Sequence, residues 1–174
     1  MDSETAAIDD LDARLITHLA HSPRAGVMDL ARTLGVARGT AQARLDKLLA
    51  RGVITGFGPE VDPIALGYAV MAFTTLEIAQ GRLADVVAHL RDIPEVLEAH
   101  AITGPGDVHT RLVAHTNRHL QDVLNRVLEV KGISRATTQI VLSEQIGSRV
   151  LPLVAQAGDQ PATRGTPPRR PPSA

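Results

Sequence analysis

The stretch from Val27 to Val53, VMDLARTLGVARGTAQARLDKLLARGV, constrains the fold more than any other part of the chain. Val27, Leu30, Ala31 and Leu34 fall at i, i+3, i+4 and i+7, the apolar stripe of a helix. A tight turn follows at Gly35-Val36, and Ala41, Leu45 and Leu48 resume the stripe in a second helix. That second helix also carries Arg38, Thr40, Gln42, Arg44 and Lys47. Two short helices joined by a turn of about 3–4 residues that contains Gly make a helix-turn-helix. A second helix with polar and cationic residues near its start suits the major groove of double-stranded DNA.

Charge has to be read locally. The 174 residues sum to a net charge of −1, which argues against indiscriminate polyanion binding. Between residues 38 and 51, however, Arg38, Arg44, Lys47 and Arg51 face only Asp46, while acidic residues gather between Asp2 and Asp12. Phosphate responds to the face presented, so a near-neutral chain still binds a duplex. With two Phe, one Tyr and no Trp, the chain lacks the aromatic platform of a single-strand binder. The absence of Cys excludes disulfides and thiolate metal sites and fits a reducing cytosol. No apolar run approaches the ~20 residues of a membrane span, and the acidic start is unlike a signal peptide. A cytoplasmic protein with no membrane association is expected.

The pattern divides the chain into three parts. Ile8, Leu11, Leu15 and Leu19 predict a buttressing helix that ends at Ser22-Pro23. Gly52 to Pro59 breaks the second helix of the motif. Val53-Ile54 and Val61 are then expected to pair as a short hairpin, the wing of a winged helix-turn-helix over residues 1–62. Residues 67–150 read differently, with strands over Tyr68–Ile78, Val96–Ile102, Val108–His115 and Arg135–Ser143. Helices lie between them, one through Leu83, Val86, Val87 and Leu90, the other capped by Asn117 and running through Leu120, Val123 and Val127. The order βαββαβ is the ferredoxin-like arrangement, so the fold class is α+β. Its sheet carries helices on one face and leaves the other for a second copy. Residues 155–174 contain a Pro/Arg-rich tail and are expected to be disordered.

Two sites stand out. Arg38, Thr40 and Gln42 fit base-edge or phosphate contacts, since Arg pairs with guanine and Gln with adenine. The plainer alternative is a solvated helix face. Arg44 is open between a phosphate anchor and an ion pair to Asp10 or Asp12, and Lys47 fits phosphate. Around the turn, Gly104 and Gly106 allow close backbone approach to a carboxylate, and Asp107 is suited to an α-amino group. That fits a free amino acid as effector, against an ordinary β-turn. Thr103, His109 and Thr138 are further polar candidates for its lining. Seven histidines, His100, His109 and His115 among them, lack carboxylate or thiolate partners at ligand spacing, so neither metal nor cofactor is expected.

These segments resemble the Lrp/AsnC (feast/famine) transcriptional regulators over about Ile8 to Gln145. Ile8-Asp9-Asp10-Leu11-Asp12 is similar to the family's opening, and Asp29-Leu30-Ala31 with Leu34-Gly35-Val36 to its second helix and turn. Arg44-Leu45-Asp46-Lys47-Leu48 followed by Gly52-Val53-Ile54-Thr55-Gly56-Phe57 resembles its recognition-helix signature. Thr103-Gly104-Pro105-Gly106-Asp107 resembles the turn that helps bind amino-acid effectors in that family. Departures are Ala37 and Ala41 where Ser and Val are common, Pro105 before Gly106, His109 at an apolar position and Ala136 for Thr. The resemblance implies a DNA-binding regulator and no enzyme, a homodimer, and further assembly up to an octamer of four dimers. Some proteins of the same build decarboxylate sirohaem, with His and Arg as working residues. His100, His109 and Arg111 suit that alternative, and the intact recognition helix opposes it. A third reading is an amino-acid sensor that binds no DNA.

Overall fold

In the computed structural model, which describes residues 8–159, the first helix α1 (Asp10–His21) opens on a reciprocal cap. Asp9 accepts from the Asp12 N–H at 2.8 Å, and the Asp12 carboxylate accepts from the Asp9 N–H at 3.4 Å. Helix α2 (Val27–Leu34) stops at Gly35, whose φ of 69° is the left-handed conformation of a helix C-cap. Helix α3 (Arg38–Ala50) follows after the expected turn. The three bury Leu15, Leu30, Leu34, Ala41 and Leu48 in one core. Each fully buried leucine contributes about 1.5–3 kcal/mol, more than a surface ion pair supplies.

Two expectations for this half are corrected. The hairpin wing does not form: no strand lies between residues 52 and 69. With Gly52 at φ 67°, the N–H groups of Val53 and Ile54 both turn back to the Leu48 carbonyl, at 2.9 and 3.2 Å. Ile54 packs on the helical core while Val61 is exposed, so the two segments never align. Residues 155–159 are helical rather than disordered, since they belong to α6 (Leu151–Asp159). The remainder of the tail, residues 160–174, lies outside the described residues. Val154 is buried in the same core as α1, α2 and α3, and Ala157 packs against it. A Cβ on Gly158 would stand 2.5 Å from that of Ala13, so a residue without a side chain lets α6 approach α1. The C-terminal helix thus joins the N-terminal unit, which comprises residues up to Pro59 and those from Gly147 onward, while Glu60–Ile146 form a second unit.

The second unit runs β1 (Val70–Ile78), α4 (Leu83–Arg91), β2 (Val96–Ala101), β3 (Val108–Ala114), α5 (Asn117–Leu128) and β4 (Ile133–Ile140). The strands pair antiparallel in the order β2-β3-β1-β4, the βαββαβ topology the pattern predicts. Alternation assigns the faces. Leu76, Val108, Val86, Leu90, Val123 and Val127 form the core beneath α4 and α5, extended by Ala72 and Leu112. Phe73, Thr75, His109 and Arg111 point to the other face, which no helix of the unit covers. The cap of α5 is Thr116, whose hydroxyl accepts from the His119 N–H at 3.1 Å, and not Asn117. Thr116 keeps an extended backbone, φ −146°, while Asn117 has already entered the helix.

Candidate nucleic-acid interface and effector turn

Helix α3 presents its apolar stripe inward and its chemistry outward. Ala41 and Leu48 are buried, whereas Arg38, Thr40, Gln42 and Lys47 are exposed. Among the described residues, the side chains of Arg38, Thr40 and Lys47 make no hydrogen bond or ion pair. Ala37 precedes the helix without a side-chain cap, so no side chain satisfies the first N–H groups of α3. Helix N-termini and free cations on one surface together suit an anionic backbone. Gln42 donates to Asp46 at 2.7 Å, one helical turn on, which leaves its carbonyl oxygen as the open group.

Arg44 resolves toward the ion pair. Its Nη1 donates to Asp9 Oδ2 at 2.6 Å and to Asp12 Oδ1 at 2.8 Å. Among the described residues Asp10, one of the two partners expected, instead reaches Arg14, at 3.9 Å. Partial burial, the largest single influence, raises the Asp9 carboxyl, yet the Arg44 hydrogen bond and charge together with the backbone N–H groups of Asp12 and Leu11 outweigh it and hold the group below its ordinary value. The pair raises the guanidinium of Arg44 in return, chiefly through Asp9. A guanidinium spent on two carboxylates locks α3 to α1 and is a poor phosphate anchor. The sequence held a signal for this in Asp9-x-x-Asp12, a capping box that aligns both acids at the helix start.

The second candidate lies at the β2–β3 connection. Gly104 and Gly106 take φ of 109° and 97°, a region that favours glycine. A Cβ on Gly104 would meet nothing, whereas one on Gly106 would collide with the Thr75 methyl group and stand 3.2 Å from the Leu76 carbonyl oxygen. The turn is pinned to the end of β1. The Asp107 N–H donates to the Leu76 carbonyl at 2.8 Å, and Asp107 Oδ2 accepts from the Ile78 N–H at 2.6 Å. Thr103 is exposed beside Gly104.

The other two residues grouped with this turn separate. His109 lies on the uncovered sheet face, with Nδ1 3.0 Å from Thr75 Oγ1 and its ring stacked on Phe73. Thr138 bonds Thr74 Oγ1 at 3.0 Å on the helix side of the sheet. One pocket cannot take both side chains. His100 and Arg111 do share the uncovered face with His109, but Arg111 is paired to Glu98 at 2.6 Å. His115 stacks on Tyr68 and His119 beyond the end of β3. Pattern reading missed Glu95, a buried acid that accepts from Arg126 at 2.8 Å with His119 at 3.3 Å.

A helical unit with cations free on its third helix, followed by a ferredoxin-like unit with a pinned Gly-Asp turn, defines a two-part regulator of the DNA-binding class. Comparison with known proteins agrees. Residues 8–49 match the AsnC-type helix-turn-helix domain and residues 71–151 the Lrp/AsnC ligand binding domain. An HTH-type transcriptional regulator of Mycobacterium tuberculosis is 33% identical over 80% of this chain and 95% of its own. Regulatory protein AsnC of Escherichia coli is 30% identical over 86% of this chain and 99% of its own. The solved structure of E. coli AsnC superposes with a TM-score of 0.78, covering 83% of this chain and 99% of that one. The feast or famine regulatory protein of M. tuberculosis, solved in complex with L-methionine, is 28% identical, with a TM-score of 0.74 over 83% of this chain and 98% of its own. The chain belongs to the Lrp/AsnC family of transcriptional regulators. Its relatives are regulators and not enzymes, which sets aside the sirohaem reading.

Proposed function

We propose that α3 enters the DNA major groove, with Arg38, Thr40 and Gln42 at base edges or phosphates and Lys47 on phosphate. The observation that carries this is the unpartnered state of Arg38, Thr40 and Lys47 on the exposed side of α3. A cation left free of its own chain keeps its full charge for phosphate. Electrophoretic shifts on the duplex upstream of the protein's own coding sequence should show binding that survives excess scrambled duplex. Weak, salt-quenched binding blind to sequence would sink the reading.

The second unit is read as sensor and assembly module. A second copy of the chain is suited to cover the sheet face that carries Phe73, Thr75 and His109, giving a homodimer with two recognition helices and a roughly palindromic site. Further assembly, to an octamer, is the larger state to test by light scattering, and a monomer would refute both. A free amino acid is the effector that fits Thr103, Gly104, Gly106 and Asp107, and the L-methionine complex of the M. tuberculosis relative supports that chemistry. Effector and DNA would then be coupled through assembly by about 1–3 kcal/mol, reciprocally. Calorimetry with the twenty amino acids tests it, and no binding by any of them defeats it. Among the described residues no helix is long and apolar enough to cross a membrane, and a DNA-bound role is in keeping with the cytoplasmic location expected from the sequence.

A further inference from the structure

The sheet face turned away from α4 and α5 carries a matched set of fixed charges on its strands. Register sets Glu77 of β1 opposite Arg135 of β4, and Glu98 of β2 opposite Arg111 of β3. The second pair closes at 2.6 Å. Two carboxylates thus meet two guanidinium groups, and the strands are neutral on this face before their histidines are counted. A neutral face that also carries Phe73 meets a second copy of itself without net repulsion.

Protonated histidines break that balance. His100 and His109 are directly opposite in the register of β2 and β3, where two cations repel. Their surroundings differ. His100 is on an edge strand with its side chain 64% exposed, and its Nε2 is 3.3 Å from a Glu98 carboxylate oxygen. Water and a carboxylate are at hand for a proton there. His109 is on β3, one of the two central strands. Its Nδ1 is 3.0 Å from Thr75 Oγ1, and its ring stacks on Phe73 with centroids 5.3 Å apart. The charged groups that share its face are Arg111 on β3, Glu98 and His100 on β2, Glu77 on β1 and Arg135 on β4, with Asp107 at the turn. Glu98 is shared by Arg111 and His100, Glu77 is opposite Arg135, and Asp107 accepts from the Ile78 N–H. Among the described residues no carboxylate pairs with His109.

We propose that His109 is a proton switch on self-assembly: two copies pair through this face while its imidazole is neutral, and separate when it takes up a proton. The proposal rests on the homodimer reading of the face and goes beyond it by naming the group that regulates pairing. A partner that covers a four-stranded sheet covers its central strands, so His109 of both copies loses water. A cation moved out of water without a counter-charge is strongly disfavoured, and the proton is shed instead. Imidazole in general exchanges its proton near pH 6.5. The neutral form belongs to the pair and the charged form to the separated copies. Pairing is therefore complete above that pH and weakens as pH falls, each copy taking up one proton as the pair separates.

The test is the dissociation constant of the full chain, from sedimentation velocity across a dilution series at several pH values. With one proton per copy, the constant should rise about 100-fold between about pH 7.5 and 5.5. That window stays above pH 4.5, where the loss of stability at Glu95 begins. His109→Gln keeps a hydrogen-bonding group for Thr75 and cannot take the proton, so its constant should be flat. His109→Lys carries a charge throughout and should pair at the upper pH as weakly as wild type does at the lower. Circular dichroism at both ends of the window first establishes that each variant stays folded. A wild-type pair with a flat constant overturns the proposal and leaves the homodimer standing. A response that persists in His109→Gln overturns it too, as does a His109→Lys chain that pairs as tightly as wild type. A wild-type monomer at every pH defeats the homodimer reading instead, and the switch with it.

Discussion

Arg44 donates to Asp12 at 2.8 Å across 32 residues of sequence, joining the third helix of the DNA-binding unit to the first. The Asp12 side chain is only 6% exposed, so removal of Arg44 strands a buried carboxylate. Arg44→Ala should destabilise the unit by about 1–3 kcal/mol, read from urea unfolding. Its loss of DNA affinity should follow the unfolded fraction. A variant as stable as wild type that loses a salt-dependent phosphate contact would return Arg44 to the DNA.

Arg38→Ala should cost about 1–3 kcal/mol of affinity for the specific site and much less for scrambled DNA. Lys47→Ala should weaken both alike and lower the salt slope by about one. Competition binding at several salt concentrations separates these outcomes. Equal losses for both duplexes on mutating Arg38 would reassign it to phosphate.

Gly104 and Gly106 differ in what surrounds them, and substitution should expose the difference. Gly104→Ala meets only the backbone cost of a positive φ, about 1 kcal/mol. Gly106→Ala adds a collision with Thr75 on β1, so about 2–4 kcal/mol is expected. Thermal unfolding of the full chain compares the two directly, and equal losses would mean that the turn is not pressed on β1.

Asp107 has to be tested with its structural task in view. Its Oδ2 accepts from the Ile78 N–H, so Asp107→Ala should cost about 1–2 kcal/mol even without effector. Asp107→Asn keeps an acceptor and removes the charge. That variant should melt close to wild type yet lose amino-acid binding by calorimetry. Full retention of binding would show that the carboxylate holds no α-amino group.

Glu95 predicts an acid limit for the second unit. Burial, the largest single influence, raises its carboxyl, but the Arg126 hydrogen bond and charge, its own backbone N–H and the nearby His119 together outweigh that and hold it below its ordinary 4.5. A folded value below the unfolded one contributes stability that is complete above pH 4.5 and is lost as pH falls beneath it. Glu95→Gln should flatten that loss while costing about 1–2 kcal/mol at neutral pH. Urea titrations across this range check it, and an unchanged acid profile would rule Glu95 out.

What the sequence determined by itself was local. Helical spacing from Val27 to Leu48, the Gly35 turn and the alternation of the four strands are written within a few residues of one another. Periodicities of 3.6 and 2 are set by backbone geometry, so they survive without knowledge of any partner. Tertiary structure decided whatever needed a distant neighbour. Arg44 had two readings until Asp9 and Asp12 came within reach, and Asp10, one residue away, did not. His109 and Thr138 were grouped by chemistry. Alternation assigns faces within a strand, but only register compares two strands, and register set these residues on opposite faces. The hairpin wing was lost because Val53 and Ile54 found the Leu48 carbonyl before any strand partner. Residues 155–159 read as too small and polar to bury area alone. They became helix only where Gly158 could approach Ala13, more than a hundred positions earlier in the chain.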